Sequence, residues 1–497
     1  MILSRSTIML YKLKIQVNRL DKKLLCLCFF LSLLFFGINW SIEYATDTYA
    51  TFEETGTWQW MLYENGRIFS ALIYYLIECF GISNGYIYKL SWLTAIFFLT
   101  AGVYLLSQLL LTYQKNVTLC VLISFLTIAN FYIIEYFLFI EKGLFLFAIF
   151  LCVVSCCLTV KYLKTGHKYL LFYVLLSLLA AVFIYQIIPG LYIILCLPFL
   201  IRHSLDGKQF LKYNLMLALL YAVPLLIAFL LVRFVFGSSR LSSSDNLFTT
   251  IRTVLGYIVD ISTADWFHIP GKLSVTVMAF IALTAILLSV NTSLKRLIVF
   301  WLGWFYILAA VTLVAFFPCF SGISTSYLPR TLYPYASLPG VLFIYLLIDN
   351  VRIGKRLINY WLIPITVLFL FLQYTKFQSV FIERYKCNQA DLYYAQIIYT
   401  QINDYEQATG NIVDTITFYR DASTAWNEPA YSKSGLMTRA QAVGWGNLNS
   451  INLYLDTQYQ KGEPLPEYES HFQQYNWDIW SEEQMIFEGS VLHLCIY

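Results

Sequence analysis

The sequence predicts a polytopic α-helical membrane protein of about eleven transmembrane helices, followed by a C-terminal extracytoplasmic α/β domain. Three observations predict it. Of 497 residues, 59% are hydrophobic and only 12% charged, about half the charge of a soluble globular protein. The mean hydropathy is +0.64. Apolar runs near helix-spanning length recur from residue 24 to residue 376, and a helix needs about 20 such residues to cross hydrocarbon. The charge is also partitioned. Residues 378–497 hold 6 Lys and Arg against 15 Asp and Glu, whereas residues 1–377 hold 27 against 14. A soluble enzyme, a disordered chain and a nucleic-acid binder are excluded on this composition. A transmembrane body over 1–377 and a soluble domain over 378–497 are the expected units.

The N-terminus carries Lys12, Lys14, Arg19, Lys22 and Lys23 before its first apolar run, with no small-residue cleavage site before Trp40. It reads as a signal anchor. The spans follow as 24–42, 90–112, 117–134, 143–162, 214–236, 272–290, 297–317, 333–350 and 358–376. The stretch 169–201 is too long for one helix and short for two, and it carries Gln186, Pro189 and Gly190 in its middle. It reads as two short helices broken near Tyr185–Gly190. Segment 68–82 is short and carries Glu78, so it reads as interfacial or re-entrant rather than spanning.

With the N-terminus inside, the basic clusters at Lys115, Lys161–Lys168, Arg202–Lys212, Lys295–Arg296 and Arg352–Arg356 all fall on the inner side. The C-terminal domain then lies outside a cytoplasmic membrane. In that domain, 389–405 has helical spacing, 412–421 alternates as a strand, 448–459 suits a helix, and 485–497 suits closing strands around Glu488-Gly489. Trp426, Trp445, Trp477 and Trp480 are either its core or an acceptor surface.

The remaining polar residues collect at the expected outer face. The first outer loop, 43–67, holds Glu43, Asp47, Glu53, Glu54, Glu64 and Arg67 among Tyr49, Trp58 and Trp60. Glu135, Glu141 and Lys142 form the next outer turn, Tyr185-Gln186 the helix break, and Arg330 is the single charge in FPCFSGISTSYLPRTLYPY. Each has a plain structural alternative: a solvated loop, a helix end in water, a lipid-headgroup anchor, a Lys142–Glu141 pair, or polar contacts between helices. An ionisable group at the edge of an apolar run, such as Glu135, otherwise faces an internal cavity.

No metal is expected, since the five His are scattered and no metal-spaced Cys pair occurs. Cys26, Cys28, Cys120, Cys152, Cys156, Cys157 and Cys196 read as small hydrophobes. Cys387 and Cys495 fall in the soluble domain, and their pairing stays open. There is no phosphate-binding glycine motif and no cytosolic domain for a nucleotide sugar. No cofactor is expected.

The pattern Asp47, Trp58 and Asn65-Gly66-Arg67 after the first span resembles the polytopic serotype-converting glucosyltransferases, members of the GT-C superfamily that use lipid-linked sugars. Tyr185-Gln186 in a mid-chain span, Arg330 in the last long outer loop and the tail 480–497 are similar too. The family often carries two adjacent acids where this chain has Asp47-Thr48, so Glu53 and Glu54 stand beside Asp47 as candidates for the key carboxylate.

The resemblance implies transfer of a hexose, glucosyl above all, from a polyprenyl-phosphate donor to a cell-surface polysaccharide or its lipid-linked precursor. Catalysis would be an inverting displacement with Asp47, Glu53 or Glu54 as base. Arg330, Arg67 and Lys142 are the candidates for the donor phosphate. Glu135, Tyr185, Gln186, Tyr49, Trp58 and Trp60 are the candidates for sugar and acceptor. Implied partners are the donor lipid, the glycan acceptor, and a flippase and a polyprenyl-phosphate glycosyltransferase of the same pathway; nucleic acid is not one. A flippase or transporter of lipid-linked sugar, or a polysaccharide polymerase or ligase, is the alternative function.

Overall fold

The computed structural model describes residues 21–40, 44–46, 48–49, 57–82, 84–236, 252, 256, 294–320, 330–348, 355–422, 439–444, 446–477 and 480–495. The expected span 272–290, the carboxylates Asp47, Glu53 and Glu54, the first part of the signal anchor, and Trp426 and Trp445 lie outside the described residues.

The chain is mainly helical. Helix α1 covers Lys22–Phe36, α2 Ile68–Cys79, α3 Asn84–Leu111, α4 Val117–Ile128, α5 Ile133–Leu138, α6 Lys142–Thr165, α7 Tyr169–Ile184, α8 Gly190–His203, α9 Gly207–Leu231, α10 Leu294–Phe320, α11 Leu338–Ile348 and α12 Lys355–Thr409. Among the described residues six segments are long and apolar enough to cross a membrane: 22–40, 86–111, 142–165, 207–236, 298–315 and 361–409. This corrects the expectation of eleven.

The physical reason is length. Helices α2, α4, α7, α8 and α11 have only 12, 12, 16, 14 and 11 residues. At about 1.5 Å per residue they rise roughly 17–24 Å, short of a hydrocarbon core of about 30 Å. The 117–134 run is cut at Ile128, and the 333–350 run does not form its long helix until Leu338. Segment 68–82 forms the short α2, with Leu72, Tyr75, Leu76 and Phe80 exposed. Such a face suits an interfacial position.

The break in 169–201 falls where the sequence puts it. Helix α7 stops at Ile184, Tyr185 is extended, and Pro189 caps α8. Proline lacks the N–H that a continuous helix needs and clashes with the preceding turn. Helix α6 sits in the middle of the bundle, packed against α3, α7 and α8. Cys156 is buried there and Cys157 half-buried.

Helix α12 runs unbroken for 55 residues, roughly 80 Å at the usual rise. The boundary expected at 377 falls inside it. What changes is the packing: residues up to Cys387 belong to the bundle core, and Ala395 onward belong to a second core. That second core is closed by strand β1 Thr415–Tyr419 and helix α13 Asn447–Leu455, together with strands β3 Met485–Glu488 and β4 Val491–Cys495, while the exposed strand β2 Gln460–Lys461 and helix α14 Pro466–Phe472 complete the C-terminal unit outside it.

The sheet order is β2-β1-β4-β3, with β1 parallel to both neighbours and β3 antiparallel to β4. The β3–β4 hairpin turns at Gly489, whose φ of +60° suits glycine. Trp477 lies in a small core with Tyr419, Phe472 and Cys495, and Trp480 packs beside the larger one. Cys387 and Cys495 are both free, in different cores.

Candidate functional site

The end of the bundle that carries the α5–α6 turn also carries the α7–α8 break and the turn before α11. Its first unit is built on Asn65-Gly66-Arg67. Gly66 has φ +63°, and a Cβ there would run into Val232 just beyond α9, so only glycine fits. The carbonyls of Asn65 and Gly66 accept hydrogen bonds from Gln186 Nε2 at 3.1 and 3.4 Å. This fixes the first loop to the helix break. Arg67 then reaches Glu141 Oε1 with Nη1 at 3.2 Å and lies over the Tyr185 ring at 4.8 Å.

The second unit is Glu135 and Arg330. Glu135 accepts from Arg330 Nη1 at 2.7 Å and from the Arg330 backbone N–H at 2.6 Å. The guanidinium lies over Phe139 at 5.1 Å. Both carboxylates are nearly buried, at 6% side-chain exposure, whereas Arg67 and Arg330 keep 14% and 26%. The cations are thus the more accessible partners.

Tyr136 joins the two units. Its hydroxyl donates to the Arg330 carbonyl at 2.7 Å, and its ring meets Tyr185, Phe145 and Tyr333. Asn130 holds the turn before α11 by donating to the Tyr333 carbonyl at 3.1 Å and the Ser337 hydroxyl at 2.8 Å.

The fold therefore brings together Arg67, Glu135, Tyr185, Gln186 and Arg330. It places the other candidates elsewhere. Lys142 is fully buried, donates to Asn39 Oδ1 at 3.0 Å, and sits on the Tyr88 ring at 3.6 Å. Its neighbour Glu141 pairs with Arg67, so the Lys142–Glu141 pair suggested by adjacency is not the one formed. Tyr49 is also fully buried and hydrogen-bonds Tyr454 of α13. It ties the first loop to the C-terminal unit and does not offer an open ring face. Trp58 packs edge-on against Tyr75, and Trp60 is half-buried beside it.

Glu141 and Tyr136 are members of the site that sequence reasoning did not select. Lys142 beside Glu141 suggested a local pair and hid the long-range one, and Tyr136 is one of 39 tyrosines with no distinguishing spacing. No cluster of His, Cys, Asp and Glu able to hold a metal occurs among the described residues.

An apolar cavity of about 630 Å³ lies between α8, α9 and α10, lined among others by Leu197, Leu217, Leu225, Phe229, Tyr306 and Val314. Leu226, Phe229 and Leu313 are exposed, so it opens sideways from the bundle. It follows α9 from Asn214 to Phe229, about 22 Å at the helical rise. One end is next to the helix break: a Cβ on Gly190 would lie 3.0 Å from Val314 and 3.2 Å from Pro334.

Comparison with family models, with curated proteins and with solved structures finds no match to this chain.

Proposed function

We propose that the protein is a membrane glycosyltransferase that moves a hexose, glucosyl above all, from a polyprenyl-phosphate carrier to a cell-surface polysaccharide or its lipid-linked precursor. The observation that carries the reading is that two partly open guanidiniums, Arg67 and Arg330, sit at the bundle end toward which a sideways-opening apolar cavity runs, its Val314 wall lying against Gly190 of the helix break. A phosphate with a long apolar tail needs that combination. The tail lies in lipid and enters laterally, while the head needs planar cationic donors.

In this mechanism the tail occupies the cavity and the phosphate reaches Arg330, with Arg67 beside it. As the sugar–phosphate bond breaks, negative charge grows on the phosphate oxygens and the guanidinium stabilises it. The attacking hydroxyl loses its proton to a carboxylate on the opposite face of the sugar, with inversion. Asp47 is the proposed base, with Glu53 and Glu54 as substitutes. Glu135 holds Arg330 in place by its two hydrogen bonds, and Gln186 holds the Asn65–Arg67 corner. We further place the N-terminus inside a cytoplasmic membrane and the C-terminal unit outside, beside the acceptor glycan. The apolar helices too short to span would complete a GT-C-like body together with the long ones. A flippase supplying the donor and the enzyme that loads it would act in the same pathway.

Structural NMR of the surface polysaccharide from cells with and without the protein tests the reading. A missing side-branch sugar is expected. Shortened chains would mark a polymerase instead, and intracellular build-up of lipid-linked sugar a flippase. Arg330→Gln should lower transfer by about 10²–10³-fold at normal membrane levels, the usual cost of one charge-stabilising donor. Asp47→Asn should abolish transfer, and full activity in it and in Glu53→Gln and Glu54→Gln would remove the base assignment.

A further inference from the structure

The opposite end of the bundle has chemistry of its own. Helices α6 and α8 start beside the Arg67 and Arg330 pairs and finish away from them, at Thr165 and His203. Helix α3 runs alongside α6 in the same direction. Near their starts the Gly143 N–H donates to the Ser91 hydroxyl at 2.9 Å, and at their ends Lys164 Nζ donates to the Thr112 hydroxyl at 3.4 Å. The sequence at this far end, 111–117, 161–168 and 202–212, holds seven Lys and Arg against one acid, Asp206. That acid is engaged at the start of α9, where it accepts the Gln209 N–H at 2.7 Å.

The ends of α3, α6 and α8 close on Tyr113. Its hydroxyl shares a hydrogen bond with His203 Nε2 at 3.1 Å, and Lys164 Nζ lies over its ring at 4.7 Å. Phe199, one turn before His203, packs against the same ring at 5.7 Å. Arg202 precedes His203 and is exposed in the same last turn of α8. Among the described residues, Lys164, Arg202 and His203 have no Asp or Glu within ion-pair distance. Burial pushes the His203 imidazole below its ordinary 6.5, and the Lys164 and Arg202 charges push it the same way. Cations in a last turn also complement the carbonyls of a helix end. That role does not call for a tyrosine joining α3, α6 and α8.

The surroundings fix the depth of this corner. Helix α7 begins three residues after α6 ends and exposes Tyr169, Phe172 and Tyr173, and Leu205 is exposed in the turn after α8. Exposed aromatic rings at the ends of apolar helices mark the headgroup level of a bilayer.

We infer that Lys164, Arg202, His203 and Tyr113 form a headgroup site for the phosphate of an anionic membrane lipid. The phosphate supplies the acceptor oxygens and the negative charge that the corner lacks, and the guanidinium fork suits two of its oxygens. Basic pockets between helix ends take lipid headgroups in this way. The site shares no residue with the Arg67 and Arg330 pairs and stands without the transferase reading.

The test compares the purified full chain in nanodiscs of phosphatidylcholine alone and of phosphatidylcholine with phosphatidylglycerol at four to one. Thermal unfolding is one readout, and native mass spectrometry of the lipids retained in detergent is the other. A higher unfolding temperature with phosphatidylglycerol, and its preferential retention, are expected. Arg202→Gln and Lys164→Gln should each weaken that retention by about tenfold, the loss of a charge-assisted contact. Tyr113→Phe keeps the ring and should weaken it several-fold, while Lys212→Gln, an equal loss of charge on α9, should leave it unchanged. No preference for phosphatidylglycerol in the wild type overturns the site, and so does a response to inorganic phosphate alone. Undiminished retention in Arg202→Gln and Lys164→Gln overturns it too, as does an equal loss in Lys212→Gln. Should the charge variants fail to fold, undiminished retention in Tyr113→Phe overturns it.

Discussion

His493 shows how one residue's setting decides its chemistry. It is 2% exposed in the middle of β4, accepts or donates a hydrogen bond with the Tyr419 hydroxyl at 2.9 Å through Nδ1, and stacks on Tyr468 at 3.8 Å. Glu488 lies 3.6 Å from Nε2. Burial pushes the His493 pKa below its ordinary 6.5, and the Glu488 and Glu467 carboxylates pull it back only partly. The folded chain therefore binds this proton less readily than the unfolded chain. The stability that neutral His493 supports is complete above about pH 6.5 and is lost as pH falls through the lower folded value. Unfolding of the C-terminal unit, followed by Trp fluorescence from pH 8 to pH 5, should show stability falling below about pH 6.5. His493→Phe should flatten that fall, and an unchanged fall would refute the assignment. At this scale residue types were legible and partners were not. Glu135, Gln186, Arg67 and Arg330 stand out as polar groups beside apolar runs, but no spacing marks Glu141 as the partner of Arg67. Ion pairs across 74 and 195 positions depend on which helix ends meet.

Helix α12 is the element that joins the two parts of the chain. Its Asp391 is fully buried, accepts from Arg439 Nε at 3.0 Å and from the Ala440 N–H at 2.7 Å, and its carbonyl takes Gln441 Nε2 at 2.7 Å. The Arg439 guanidinium also covers the Tyr394 ring at 4.4 Å. Breaking such a pair from one side leaves a buried charge, which costs about 3–5 kcal/mol. Asp391→Ala should therefore loosen the C-terminal unit by that amount. Hydrogen exchange at 439–442 measures it, with a marked loss of protection expected and unchanged protection counting against the pair's role. Several elements could be read from sequence alone. The helix at 389–405, the strand within 412–421, the helix near 448 and the hairpin around Glu488-Gly489 all form, because periodicity and turn chemistry are local. The broken pair at Tyr185–Gly190 forms for a local reason too, since Pro189 lacks the N–H that a continuous helix would use there, whereas Pro198, Pro224 and Pro364 are carried inside helices. Helix lengths were less legible. Hydropathy marks where apolar residues are and not where the backbone stops being helical, so runs near 20 residues became helices of 11 or 12.

For the whole molecule, the unequal spread of charge sets an expectation of sidedness. Basic loops stay inside, so Lys164 should lie on the cytoplasmic side and Glu463 outside. Single-cysteine variants at these positions, in a background without other accessible cysteines, should react oppositely with a membrane-impermeant thiol reagent in intact cells. Glu463 should label and Lys164 should not, and the reverse pattern would invert the topology. What the sequence determined by itself was the solvent and the division of labour: an apolar helical body, a charged C-terminal unit, and polar residues gathered at a few helix ends. These follow from composition and from periodicities of two and 3.6 residues, which need no knowledge of neighbours. Only the tertiary structure decided which polar residues meet. It set Arg67 on Glu141 and Arg330 on Glu135, buried Lys142 and Tyr49 away from that pair of sites, and ran α12 through both cores. Those choices depend on how helices pack. In a medium where apolar surface alone does not select partners, close packing and hydrogen bonds between distant segments do.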